Sequence, residues 1–202
     1  MNFCLTVTDI DWSITKDVFS IIGTVGAIVI GLLGLFTWRL QLRGTSEYEL
    51  AKKAILKTYE VQQALQSVRN PMLYLSKEEV EAGRRLEEEQ RIYNERMAHL
   101  YDKWAELQTI RLEAKVIWHD GAHKVFDELH QRIGDMRGAI WLHFWMKGAY
   151  AGPGATVDNN FERRMKNDKT VYYISDDDEF SLKIAMSVRL IEEFFGPKVR
   201  GN

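Results

Sequence analysis

The sequence predicts a mainly α protein, with one N-terminal transmembrane helix followed by a cytosolic helical hairpin or coiled-coil domain. Three observations carry this reading. No residue is charged over residues 18–38. Apolar residues recur at spacings of three and four over residues 50–68 and again over 97–125, the period of a helix face. Proline is nearly absent, with none between Pro71 and Pro153.

The uncharged stretch of about 20 residues, rising 1.5 Å per residue, matches the ~30 Å hydrocarbon layer of a bilayer. A cleaved signal peptide fits less well, because one begins with a basic region and ends in a small-x-small site. Here Asp9, Asp11 and Asp17 accompany Lys16 before the run, which ends in Phe36, Thr37, Trp38 and Arg39. A buried core helix is the other alternative. Arg39, Arg43, Lys52, Lys53 and Lys57 follow the run and only Lys16 precedes it. The positive-inside bias therefore places the C-terminal side in the cytoplasm and the N-terminus outside. Trp12, Phe19, Phe36 and Trp38 suit the headgroup zones at the two ends. The chain then divides into a short extracytoplasmic segment (1–17), a span (18–38), a basic exit with the first hairpin helix (39–75), and a long helix with a C-terminal helical domain (76–202).

Inside the span, Gly23, Ala27 and Gly31 recur every four residues and Gly34 follows three later, a stripe of small residues on one helix face. Such a stripe has two readings. It lets helix backbones approach closely, which is a main source of attraction in hydrocarbon and points to a homo-oligomer. Equally, glycine is common in membrane helices and is simply tolerated there.

Beyond Trp38 the chain carries 26 basic and 26 acidic residues. This balance offers no electrostatic footprint for nucleic acid, so no direct nucleic-acid binding is expected. About 160 residues suffice for one domain with its own core. Cys4 is the single cysteine, which excludes an intrachain disulfide and a cysteine-rich zinc site and suits a largely cytosolic chain.

Breakers set the elements of this domain. Gly44 interrupts the helix leaving the membrane, and Ser46 with Glu49 forms a capping box that restarts it. That helix runs to about Arg69, where Asn70-Pro71 stops it, with Leu50, Ala54, Val61, Leu65 and Val68 on one face. Ser76 and Glu79 form a second capping box, and one long helix follows. Its first part, "KEEVEAGRRLEEEQR", reads as a solvated helix laced with ion pairs. Its second part carries the seam Met97, Leu100, Trp104, Leu107, Ala114, Trp118, Gly121 and Val125, with Arg111 the one exception. Residues 46–69, turning back at Pro71, supply the antiparallel partner.

"MRGAIWLHFWMKGAYAG", residues 136–152, is apolar on nearly all sides but too short and too interrupted to span a bilayer. It reads either as a central core helix or as a helix at the membrane surface, where Trp141, Trp145 and Lys147 suit an interface. "GPGA" then makes a loop and "TVYYI" one short strand. From Asp178 a last helix with Ile184, Ala185, Val188, Ile191 and Phe195 on its apolar face ends at Gly196-Pro197. The acidic run "SDDDEF" opens that helix, since acidic side chains favour the positive end of the dipole.

One constellation resembles chemistry. His119 and His123 stand four apart with Asp120 between them, in "HDGAH", and on a continuous helix Asp127 and His130 join them within a ~90° arc. Imidazoles and carboxylates in that arrangement bind zinc or a similar metal. Gly121 inside the motif, the short aspartate and the position beside the seam favour a polar helix flank instead. No metal, cofactor or catalytic residue is therefore expected; structural metal, proton sensing and a metal-dependent hydrolase are the alternatives. Phosphate-loop, dinucleotide-loop and nucleophile-elbow signatures are missing from the sequence.

The succession of an N-terminal span, "WRLQLRGTSEYELAKKAILKTYEVQQALQSVRNPM" and a tryptophan-rich helical domain resembles small bacterial membrane-anchored proteins of unassigned activity. Some of these accompany retron-type or other antiphage systems as membrane effectors. The resemblance is one of layout, with the basic exit and the R-N-P break its most specific parts, and it transfers no catalytic residue. It implies a bacterial inner-membrane effector or adaptor, not an enzyme. Its helical domain would receive a signal from a cytosolic protein or nucleoprotein complex, and its span would self-associate in lipid to disrupt the membrane in antiviral defence. A scaffold that tethers a cytosolic partner is the alternative from another class.

Overall fold

The computed structural model describes residues 12–150 and 160–200. Among these residues are six helices and no strand: α1 (Trp12–Arg69), α2 (Lys77–Glu81), α3 (Arg85–Lys124), α4 (Asp127–Met146), α5 (Phe161–Val171) and α6 (Glu179–Arg200). The chain forms two units, Met1–Ser46 and Glu47–Asn202.

The described part of the first unit is the long apolar N-terminal stretch of α1. Its large side chains are exposed, Phe19 at 70%, Ile30 at 72% and Leu33 at 62%. The two threonine hydroxyls of the run turn back onto their own helix, Thr24 to the Ser20 carbonyl at 2.8 Å and Thr37 to the Leu33 carbonyl at 2.9 Å. No polar side chain of that pair then needs an outside partner. The expected break at Gly44 and restart at Ser46 do not occur, because α1 passes through both. An isolated glycine costs a helix only about 1 kcal/mol relative to alanine, which the good helix formers on either side absorb.

In the second unit, α1 and α3 run antiparallel. Lys57 meets Glu106 at 2.5 Å, Glu60 meets Lys103 at 3.1 Å, and Arg96 donates to the carbonyls of Asn70 and Met72 at 2.6 Å. As one residue number rises along α1, its partner's falls along α3. Between these ion pairs the predicted faces are buried, Leu50, Ala54, Val61, Leu65 and Val68 in one core with Met97, Leu100, Trp104, Leu107 and Ala114. Arg111 is buried in that seam, as its spacing requires.

The long helix expected from Ser76 is two helices. Gly83 takes φ 79°, a left-handed conformation suited to glycine, and separates α2 from α3. The capping box fails with it: Glu79 turns to Arg84 at 2.6 Å, and the Ser76 N–H is taken by Glu88 of α3 at 3.3 Å. The charged stretch is therefore not simply solvated, since Glu88 and Glu89 are both buried.

A second interruption lies at His119, at φ 61° and ψ −157° inside α3. That region is nearly reserved for glycine. The kink moves the seam by one residue, so Ala122 and Phe126 are buried where Gly121 and Val125 were expected.

α4 packs on α3, α5 and α6. Its residues Met136, Ala139, Ile140, His143, Phe144 and Met146 are buried, as the core-helix reading requires. The segment "TVYYI" is not a strand: Thr170 and Val171 close α5, and the residues after them lead to α6. The "GPGA" loop lies outside the described residues. α6 continues past the expected stop at Pro197 to Arg200, because a proline there forfeits one hydrogen bond while Phe195 and Val199 still pack on the core. On its apolar face Ser187 is buried and Ala185 is exposed.

One buried arginine joins three helix ends. Arg69, at the end of α1, donates to the carbonyls of Lys169, Thr170 and Tyr172 at 2.9 to 3.1 Å, to the Ser181 hydroxyl at 2.6 Å and to both Asp178 oxygens at 3.0 Å. Asp178 in turn accepts from the Ser181 N–H at 2.8 Å and so caps α6. Burial pushes the Asp178 carboxyl up, but the backbone N–H groups and the Arg69 guanidinium outweigh it and hold it down to about 2.

Candidate functional site

The four residues singled out around "HDGAH" do not share one helix face. The kink at His119 breaks α3 at the first of them, and α3 ends at Lys124 before α4 begins at Asp127. The ~90° arc expected for a continuous helix is lost for that reason. Arg111 takes the place between two of the four: it donates to the His123 carbonyl at 3.2 Å, contacts His123 Nδ1 at 3.1 Å and pairs with the Asp127 carboxylate. Burial, and then the Arg111 and Lys115 cations, push the His123 imidazole below its ordinary range. His130 stacks on Trp104, with centroids 5.1 Å apart. Among the described residues no group of three histidine, cysteine or acidic side chains stands at metal-binding spacing.

The small-residue stripe lies in α1. Gly23, Gly31 and Gly34 have no atom within 4 Å of where a Cβ would stand, and Ala27 is exposed beside them. At 100° per residue the four positions fall within about 80° of one another. Among the described residues no other part of the chain covers the helix face they form.

A polar cluster that the sequence did not reveal lies inside the second unit. Three helices each contribute a pair of residues one turn apart: Glu89 and Tyr93 from α3, His143 with Lys147 at the end of α4, and Asp168 with Tyr172 at the end of α5. Glu89 Oε1 accepts from Lys147 Nζ at 2.5 Å and lies 3.3 Å from His143 Nε2. The other ring nitrogen faces Asp168 Oδ1 at 3.6 Å, and the Tyr172 hydroxyl lies 3.5 Å from Nε2. His143 thus stands between two carboxylates brought by different helices. A hydrogen bond from His143 and the Lys147 ammonium hold Glu89 down to about 2 against the opposing effect of burial. Burial pushes both tyrosine hydroxyls up, and the Glu89 and Asp168 carboxylates add to this for Tyr172.

Two atoms of the cluster, the Tyr93 hydroxyl and Asp168 Oδ1, are buried without a hydrogen bond among the described residues. The arrangement ties α3, α4 and α5 together through buried polar contacts. One sequence signal was available. His143 interrupts an otherwise apolar run and has Lys147 one turn on, but nothing local says that Glu89 and Asp168 meet it. Comparison with known protein families, curated proteins and solved structures finds no match to this chain.

Proposed function

We propose that the chain is a single-pass protein of the bacterial inner membrane, with its N-terminus outside and its second unit in the cytoplasm. In this reading it is an effector or adaptor rather than an enzyme. The span clusters with other copies through Gly23, Ala27, Gly31 and Gly34, the helical unit receives a partner's signal, and the output in antiviral defence is loss of membrane integrity. The observation that carries the reading is the first unit's exposed apolar surface. Phe19, Ile22, Ile30, Leu33 and Phe36 are each more than 60% exposed. Side chains of this kind in water cost roughly 1.5–3 kcal/mol each relative to burial, a cost that hydrocarbon removes. The uncharged length supports a complete crossing, and the basic residues from Arg39 onward support the orientation.

Alkaline carbonate extraction of bacterial membranes tests the anchor, and protease added outside spheroplasts tests the orientation. The chain should stay in the carbonate pellet and its second unit should resist external protease. Release into the carbonate supernatant would refute the span. Strong induction should then slow growth and depolarise the cells; an anchored chain that does neither with its neighbouring gene products present would be a scaffold instead.

A further inference from the structure

Between α3 and α4, on a side of the second unit that the polar cluster does not use, lies an open cleft of about 260 Å³. Its floor is apolar, made by Met97 and Ile140, both nearly buried. Its walls are aromatic. Tyr101 of α3 is 39% exposed, Trp141 of α4 is 55% exposed and Tyr150 is 47% exposed. Tyr59, Tyr74 and Phe161 are exposed elsewhere in the unit, but here three open rings stand around one recess.

Two of these rings, Trp141 and Tyr150, are also aligned with each other. Trp141 and Tyr150 lie 13° from parallel with centroids 6.2 Å apart, and Trp145 continues the stack at 18° and 6.3 Å. Gln90 donates to the Tyr150 hydroxyl at 3.1 Å and so fixes that ring in place. Two polar groups stand at the rim. Neither the Asn94 carboxamide nor the Arg137 guanidinium has a hydrogen bond or ion pair among the described residues.

Each part selects for a chemical property. Aromatic walls around an apolar floor favour a planar ring. A carboxamide both donates and accepts, which suits the edge of a heterocycle. A guanidinium with no partner among the described residues favours an anion, and phosphate above all. We propose that this cleft binds a purine nucleotide, with the base over the apolar floor against Tyr101 and the edge of Trp141, its own edge at Asn94 and its phosphate on Arg137. An uncharged ring compound leaves Arg137 unused, and free phosphate leaves the rings unused. A lipid surface fits poorly because the feature is a recess with one cation at its rim, whereas a bilayer contact needs a protruding apolar face. This site does not depend on the membrane reading.

The test uses the full chain in mild detergent, with tryptophan emission and equilibrium dialysis as readouts and AMP, GMP, adenosine and inorganic phosphate as probes. AMP or GMP should bind saturably and change the emission. Adenosine should bind at least tenfold more weakly than AMP, and phosphate alone should not compete at equal concentration. Arg137→Gln should bring AMP down to the affinity of adenosine while leaving adenosine unchanged. Trp141→Leu should weaken both at least tenfold. Both side chains are exposed, so the variants should keep the wild-type circular dichroism spectrum. Absence of saturable nucleotide binding at millimolar concentration, competition by phosphate alone, or unchanged AMP binding in both variants would each overturn the proposal.

Discussion

Replacing Arg69 with alanine should cost the second unit about 4 kcal/mol. Arg69 is fully buried and serves six acceptor atoms at the end of α5 and the start of α6, including a carboxylate whose side chain is 9% exposed. Removing one partner of a buried ion pair typically costs about 3–5 kcal/mol, because the remaining charge is left without compensation. The α5 carbonyls that lose a donor add to this, and water entering the vacated space subtracts from it. A shift of that size is a large fraction of the roughly 5–15 kcal/mol that holds a domain together. Urea unfolding of the full-length protein in mild detergent, followed by far-ultraviolet circular dichroism, reads it directly. With a slope of roughly 2 kcal/mol per molar urea, the midpoint should fall by about 2 M. Arg69→Lys should lose about half as much, since an ammonium keeps the charge but cannot reach Thr170, Ser181 and Asp178 together. The loss should also depend on pH. Asp178 is held below its ordinary value, so its contribution is complete above about pH 4 and disappears as pH falls through about 2. The difference between wild type and Arg69→Ala should therefore narrow at the acid end. A loss below 1 kcal/mol at pH 7, or one that is the same at pH 7 and pH 2, would refute the account of Arg69 as the charged tie between α1, α5 and α6.

Three further outcomes are expected. His119→Gly should stabilise the protein by about 1 kcal/mol and raise Tm by roughly 2–4 °C, because φ 61° with ψ −157° strains any residue with a Cβ and the exposed imidazole gives up little packing; calorimetry checks it. Glu89→Gln should flatten the acid limb of the stability curve. Glu89 is held down to about 2, so its stabilising contribution is present above its ordinary range and is lost as pH falls toward 2; an unchanged acid limb in thermal melts would contradict the cluster's electrostatics. Finally, a Gly23→Ile, Gly31→Ile double variant should insert normally and lose about 1 kcal/mol of association, a several-fold drop in crosslinked oligomer in membranes. Equal crosslinking would mean that the glycines are only tolerated in lipid.

The sequence by itself determined what depends on neighbours along the chain. The apolar stretch of α1 is legible because absence of charge over a bilayer's length is a one-dimensional property. The faces Leu50 to Val68 and Met97 to Ala114 are legible because a helix repeats every 3.6 residues, so spacing alone tells which side chains share a face. Even the Arg111 exception was visible from its place in the seam. What spacing cannot tell is where a regular element stops obeying its own period. The strained backbone at His119 and the left-handed Gly83 each broke a long helix, and with the first went the shared arc of His119, His123, Asp127 and His130. Residues far apart in the chain were decided by tertiary structure alone. Glu89 looked like part of a solvated charged run, Asp168 stood in a stretch to which the sequence assigned no element, and Arg69 looked like the last basic residue of α1. Packing put Glu89 and Asp168 on either side of His143, and set Arg69 against the ends of α5 and α6. A buried charge is stable only where partners from other helices compensate it, and that condition is met in three dimensions, never along the chain.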